Sequence, residues 1–236
     1  MRIFLALAGL VLSLTFSGPA SASDGMRVLV MGDSFMTSNG SDNESFPDVL
    51  SDLLSTHIKS TAVAGARHLY RLPLTGGLGL NISKQYRSGK WDYVVMNGGG
   101  NDLWLGCGCG KCKRKMEKLI TADGKRGAIP STVLRARRDG ARVIYVGYLR
   151  SPGRGSPIEA CKPLGDKMEA RIAKLAEIDP GFTFVSLADM VPYGDGSFHA
   201  ADMIHPSAKG SAAAAQRVLL AIEENDKPKI IDQSGL

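Results

Sequence analysis

Five short apolar runs, each closed by a turn signal, constrain this chain more than any other feature. They are residues 26–31, 61–64, 93–96, 142–149 and 182–187. Their apolar side chains are largely continuous rather than alternating, as expected for strands buried on both faces. Helical spacing fills the intervals. Residues 47–56 carry Val49, Leu50, Leu53 and Leu54, and residues 163–178 carry Leu164, Met168, Ile172 and Leu175. Residues 111–121 and 131–139 flank an interruption at Gly124 and Gly127, and residues 206–224 open on Pro206-Ser207 before an Ala-rich stretch. Proline in a first turn is a helix-start signal. Alternation of this kind predicts an α/β fold, a parallel sheet with helices on both faces. Ligands in such folds bind beyond the C-terminal strand ends, so the loops after the strands are where chemistry is expected.

The bulk properties limit the alternatives. A length of 236 residues with 44% hydrophobic and 22% charged content allows one domain with a full-sized core. Residues 1–22 stand apart from it. Arg2 is the only charge before Asp24, residues 3–16 are almost wholly apolar, and Ala20-Ser21-Ala22 offers small residues to a signal peptidase. This pattern predicts a secretory signal peptide cut after Ala22, with residues 23–236 as the mature domain. The apolar stretch is too short to span a bilayer, so no stable membrane anchor is expected. The expected location is the periplasm or the exterior. Net charge is +6, and loss of Arg2 leaves +5. That mild bias suits anionic substrates or cell envelopes. No zinc-finger spacing, RNA-binding signature or sustained basic helix points to a nucleic-acid partner.

Four loops hold candidate chemistry. After the first strand comes Gly32-Asp33-Ser34, which either caps the next helix or presents a Ser hydroxyl at the strand tip. After the second comes Gly65, where bare backbone can approach a ligand. After the third comes Asn97-Gly98-Gly99-Gly100-Asn101-Asp102. Three consecutive glycines carry a high conformational-entropy cost, and Asn101 offers a neutral donor for a developing oxyanion. The last loop holds Asp202 and His205, three apart and just before a helix. The Asp can fix the imidazole tautomer while the His takes a proton from a Ser. His57, His68 and His199 have no comparable partner in the sequence.

Taken together and in order, Gly32-Asp33-Ser34, Gly65, Gly99-Gly100-Asn101-Asp102 and Asp202-Met203-Ile204-His205 resemble the four blocks of the SGNH (GDSL-type) hydrolases. The resemblance spans about residues 26–224. It implies a three-layer α/β/α sandwich, flavodoxin-like, with strand order 2-1-3-4-5. It implies Ser34 as nucleophile, His205 as base and then acid, and Asp202 as its orienting carboxylate. The oxyanion hole would be the Ser34 and Gly65 N–H groups with the Asn101 amide. No metal or other cofactor is implied. Two positions depart from the pattern. Phe35 replaces the usual Leu at a packing position, and Ser60-Thr61 stand where an Asn often precedes the second-block Gly.

Cys107, Cys109, Cys112 and Cys161 are all the cysteines. An exported chain meets an oxidising compartment, which favours two disulfides over a zinc site. One bridge is expected within the cluster, with Cys107 or Cys109 joined to Cys112, and one from the cluster to Cys161. Lys111, Lys113, Arg114, Lys115 and Lys118 surround the cluster. They read as a solvated helix face or as a positive rim that gathers an anionic substrate beside the active site. The leading functional expectation is an exported esterase acting on a small-molecule or glycan ester, with acetyl esters a natural target. An O-acyltransferase, a lipase or a thioesterase would use the same residues. A non-catalytic glycan-binding module and a redox or zinc protein built on the cysteines are the alternatives of other classes.

Overall fold

The computed structural model describes residues 25–153 and 155–227. The expected signal peptide lies outside them. Five strands form one parallel sheet in the order β2-β1-β3-β4-β5. They are β1 (Val28–Met31), β2 (Ile58–Ser60), β3 (Tyr93–Met96), β4 (Arg142–Val146) and β5 (Phe182–Val185). Among the described residues, eight α-helices accompany them: α1 (Ser34–Thr37), α2 (Phe46–Leu54), α3 (Pro73–Thr75), α4 (Gly100–Cys107), α5 (Lys113–Leu119), α6 (Ala128–Arg138), α7 (Lys162–Ile178) and α8 (Ala208–Asp226). The expected order 2-1-3-4-5 and the three-layer architecture are present.

The period-2 alternation of strand side chains explains why the apolar runs are continuous. Leu29, Met31, Val94, Met96, Val143 and Tyr145 point to one face, where α5, α6 and α7 bring Met116, Val133 and Ile172. Val28, Val30, Val95, Ile144 and Val146 point to the other, where α2 and α8 bring Phe46, Leu50, Ala214 and Val218. Two cores therefore clamp the central strands, and every residue of β1 and β3 is buried.

Three of the differences from expectation bear on the site. The second strand is Ile58–Ser60, not residues 61–64. It lies at the sheet edge, where Lys59 and Ser60 face solvent and only Ile58 is buried, so it lacks a full apolar run. The chain nevertheless stays hydrogen-bonded to β1 beyond it, through Thr61 N–H to the Val30 carbonyl (2.8 Å) and Val63 N–H to the Gly32 carbonyl (3.1 Å). The third loop is not all loop. Gly98 and Gly99 turn the chain and Gly100 opens α4. Finally, α8 begins at Ala208, with Ser207 as a cap whose hydroxyl accepts from the Gly210 N–H. Pro206 instead sits in an antiparallel bridge with His199.

Candidate active site

The C-terminal ends of β1, β3 and β4 and the turn before α8 enclose a crevice of about 120 Å³. Ser34, Asn101 and His205 all line it. Ser34 is the first residue of α1 and is half-buried. Its N–H falls among the first-turn donors that have no intrahelical acceptor. Gly32 makes this turn possible. It adopts φ +153, and a Cβ there would collide with the Asn97 side chain. Phe35 is buried against the core, so its replacement of Leu is a packing change.

Asp202 and His205 meet as their spacing suggests. His205 Nδ1 lies 2.5 Å from Asp202 Oδ2. Asp202 Oδ1 accepts the Ile204 and His205 amides, both at 3.0 Å, which wraps the turn around the carboxylate. Met203 takes a left-handed φ of 57° inside this turn, and its carbonyl accepts the Ser156 hydroxyl at 2.7 Å. Partial burial works to raise the Asp202 carboxyl. Hydrogen bonds from the His205 ring and the two amides outweigh it and hold the group at about 2. Asp202 is therefore an anion across the neutral range. The other histidines stay apart from the crevice. His57 is exposed, while His68 and His199 are buried and their ring nitrogens have no hydrogen-bond partner among the described residues. Burial pulls His68 down to about 3, so it is neutral.

Asn101 sits in the first turn of α4. Its Nδ2 donates to the Ala66 carbonyl at 3.1 Å and makes a long 3.5 Å contact with Asp33 Oδ2. One of the two amide hydrogens is thus committed and the other is weakly held. Gly65 lies in the turn after β2 at φ +76, and its N–H meets no acceptor among the described residues. It lies outside the set of residues that line the crevice. Asp102 ties the two loops together by accepting the His68 and Leu69 amides at 2.9 and 2.8 Å. Burial lifts Asp102 to about 6, against the pull of those amides and of Arg67.

Two groups under the site escaped the sequence reading. Asp33 caps α1 through the Phe35 N–H, as its position suggested, but it also accepts from Asn97 Nδ2 at 3.0 Å and from the Tyr148 hydroxyl at 2.5 Å. It is buried, and burial raises its carboxyl above the usual range despite these donors. Tyr148 in turn accepts the Gly100 N–H at 3.2 Å and packs edge-on to Phe35. The available signal was position, since Gly147-Tyr148 follows the end of β4, on the ligand-binding edge of the sheet.

The cysteines form Cys107–Cys112 and Cys109–Cys161 bridges, as expected of a short and a long pair. The long bridge joins α4's end to the start of α7, and Cys161 lines the crevice with Trp104 and Met168. The bases expected at this rim do not. Lys111, Arg114, Lys115 and Lys118 line a separate groove with Arg67 and Arg71, because the buried Met116 and Leu119 pin α5 with its charges turned toward the segment after β2.

Comparisons with known proteins speak to the family and the fold. The GDSL-like Lipase/Acylhydrolase family profile matches residues 30–213. No curated protein sequence matches the chain. Among solved structures, a protein of Slackia heliotrinireducens assigned to the SGNH hydrolases is 24% identical, with a TM-score of 0.56 over 84% of this chain and 100% of that one. A GDSL-like lipase from Bacteroides thetaiotaomicron is 18% identical, with a TM-score of 0.54 over 84% and 88%. A carbohydrate esterase family 2 enzyme with a carbohydrate-binding domain, from Corynascus thermopiles, is 15% identical, with a TM-score of 0.59 over 88% and 68%. These likenesses concern the fold. With its strand order, its four loops and a family match over most of its length, the chain belongs to the GDSL-like lipase/acylhydrolase family and is an ester-bond hydrolase.

Proposed function

We propose that the chain is an exported serine esterase that removes small acyl groups, acetyl above all, from glycan or small-molecule esters. The observation that carries the reading is the Asp202–His205 pair at 2.5 Å on the crevice that also holds Ser34. His205 takes the Ser34 proton as the hydroxyl oxygen attacks the ester carbonyl. The tetrahedral oxyanion is held by the Ser34 and Gly65 N–H groups and by the loosely held hydrogen of Asn101. His205 then protonates the departing alcohol and leaves an acyl-Ser34 ester. A water deprotonated by His205 attacks that ester, and the carboxylic acid departs with Ser34 restored. Asp202, ionised throughout, keeps the imidazole in the tautomer that can accept the proton.

The preference for small acyl groups is supported by the size of the crevice, about 120 Å³, and by its Trp104, Leu149 and Met168 walls. A glycan alcohol is suggested by the carbohydrate esterase of the same fold. Export is supported by the segment 1–22 and by two disulfides, which persist in oxidising compartments. The test is a panel of p-nitrophenyl acetate, butyrate and octanoate beside acetylated xylan. The reading expects kcat/KM to fall with chain length and acetate to be released from xylan, both lost in Ser34→Ala. A panel in which octanoate leads and xylan is untouched contradicts it.

A further inference from the structure

The segment between β2 and β3 carries a feature that ester hydrolysis does not use. Arg67 and Arg71 from this segment face Lys111, Arg114, Lys115 and Lys118 across a broad groove of about 840 Å³. None of the six forms an ion pair among the described residues. The one acid of α5, Glu117, is drawn away to Arg171 at 2.8 Å. Arg67 stacks its guanidinium on the Tyr70 ring at 5.1 Å, and its Nε is buried with no hydrogen-bond partner among the described residues. Lys113, Arg114 and Lys115 also occupy the first turn of α5, where the helix dipole disfavours positive charge. Arg67 has a carboxylate near it, that of Asp102. Cations gathered in one groove without ion-pair partners repel one another, and a local rule broken in this way marks a surface shaped for something else.

The same segment bears an unusual set of exposed leucines. Leu72 is 63% exposed and lines the groove, while Leu74 and Leu78 are 85% and 79% exposed. Leu74 and Leu78 are four apart in the helical turns of residues 73–78, ahead of the non-helical Gly79, which puts them on one side. Single exposed leucines are ordinary. Three within seven residues, the first of them lining the groove, put exposed apolar side chains next to a basic collar.

We propose that this face docks on an anionic lipid bilayer. A bilayer surface uses both halves of it. Negative headgroups neutralise the collar, and the leucines enter the headgroup–acyl boundary, as in interfacial binding segments. A soluble polyanion such as an acidic polysaccharide would use the bases alone and leave the leucines in water. No helix among the described residues is long and apolar enough to cross a membrane, so the attachment is peripheral. Arg67 follows Ala66, whose carbonyl holds Asn101, so groove and crevice lie on either side of one short segment. Docking there sets the crevice beside the membrane surface.

The experiment is co-sedimentation of the mature protein with vesicles of phosphatidylcholine, with and without about one third phosphatidylglycerol. Binding is expected only with the anionic lipid, and it weakens as salt rises from about 50 to about 500 mM. Arg114→Gln with Lys118→Gln lowers partitioning roughly thirtyfold, about fivefold for each charge. Leu74→Ser with Leu78→Ser lowers it about tenfold or more. Both variants keep wild-type p-nitrophenyl acetate turnover without vesicles, which shows them folded and separates this result from the esterase reading. Absent binding to anionic vesicles overturns the proposal. So does binding that the leucine variant leaves unchanged, the result expected of a site for soluble polyanions.

Discussion

Tyr148→Phe probes the buried network under the nucleophile while leaving its packing in place. The ring stays edge-on to Phe35 at 6.0 Å and 82°. The change removes one hydroxyl, which donates to Asp33 Oδ2 at 2.5 Å and accepts the Gly100 N–H at 3.2 Å. A hydrogen bond to a buried charged group contributes about 1.5–3 kcal/mol, and the partly buried Gly100 N–H, which can turn to water, adds little. The sum is roughly 2–3 kcal/mol, or about 5–10 °C in Tm for a domain of this size. Its pH dependence has a definite sign. Burial raises Asp33 above its ordinary 3.8, so between that value and the folded one the native state binds more protons than the unfolded state. Stability from this group is therefore lost as pH rises through that window. Removing the Tyr148 donor pushes Asp33 higher and widens the window. Thermal unfolding at about pH 8 and about pH 4 should show a larger gap between wild type and variant at the higher pH. A Tm within about 1 °C of wild type at both, or a larger gap in acid, would refute the reasoning.

Two further outcomes test other parts of the site. Asn101→Ala should lower kcat on p-nitrophenyl acetate by about 10²–10³ with KM little changed, as for loss of one oxyanion donor; a kcat within about threefold of wild type would remove Asn101 from the hole. Cys109→Ser with Cys161→Ser opens a link of 52 residues and should cost about 4 kcal/mol, against about 2 for the Cys107–Cys112 link of 5. Thermal unfolding of the two double variants checks that ordering, a thiol count of zero on the non-reduced protein checks that both bridges form, and mass mapping of its disulfide-linked peptides checks the pairing.

Much of the frame was legible because parallel strands buried on both faces leave continuous apolar runs. Residues 93–96 were bounded as observed, since Asn97-Gly98 ends the run where the strand ends. The edge strand was misplaced for the opposite reason. Lys59 and Ser60 face water, so apolar patterning pointed to the residues just after them. Helix α4 was missed because Gly100, Asn101, Asp102 and Gly106 are weak helix formers, and tertiary packing holds it. The Ser34, Asn101, Asp202 and His205 loops were visible because each is a short local pattern. Tyr148 and the Asp33 network were not, because the loops after β1 and β4, one on each side of β3, meet only through the sheet order, over 115 residues of sequence. The basic groove shows the same limit. Its lysines were apparent, but Arg67 and Arg71 join them only after the disulfides and Met116 fix how α5 faces.

Ser34, proposed as the nucleophile activated by His205 and Asp202, can be tested directly. The most direct measurement is labelling with a fluorophosphonate followed by mass mapping of the modified peptide. One adduct per chain is expected, on Ser34. It should be absent in Ser34→Ala and strongly slowed in His205→Ala, because triad members act as a unit. A folded protein that takes no label, or an adduct on any other residue, would contradict the claim.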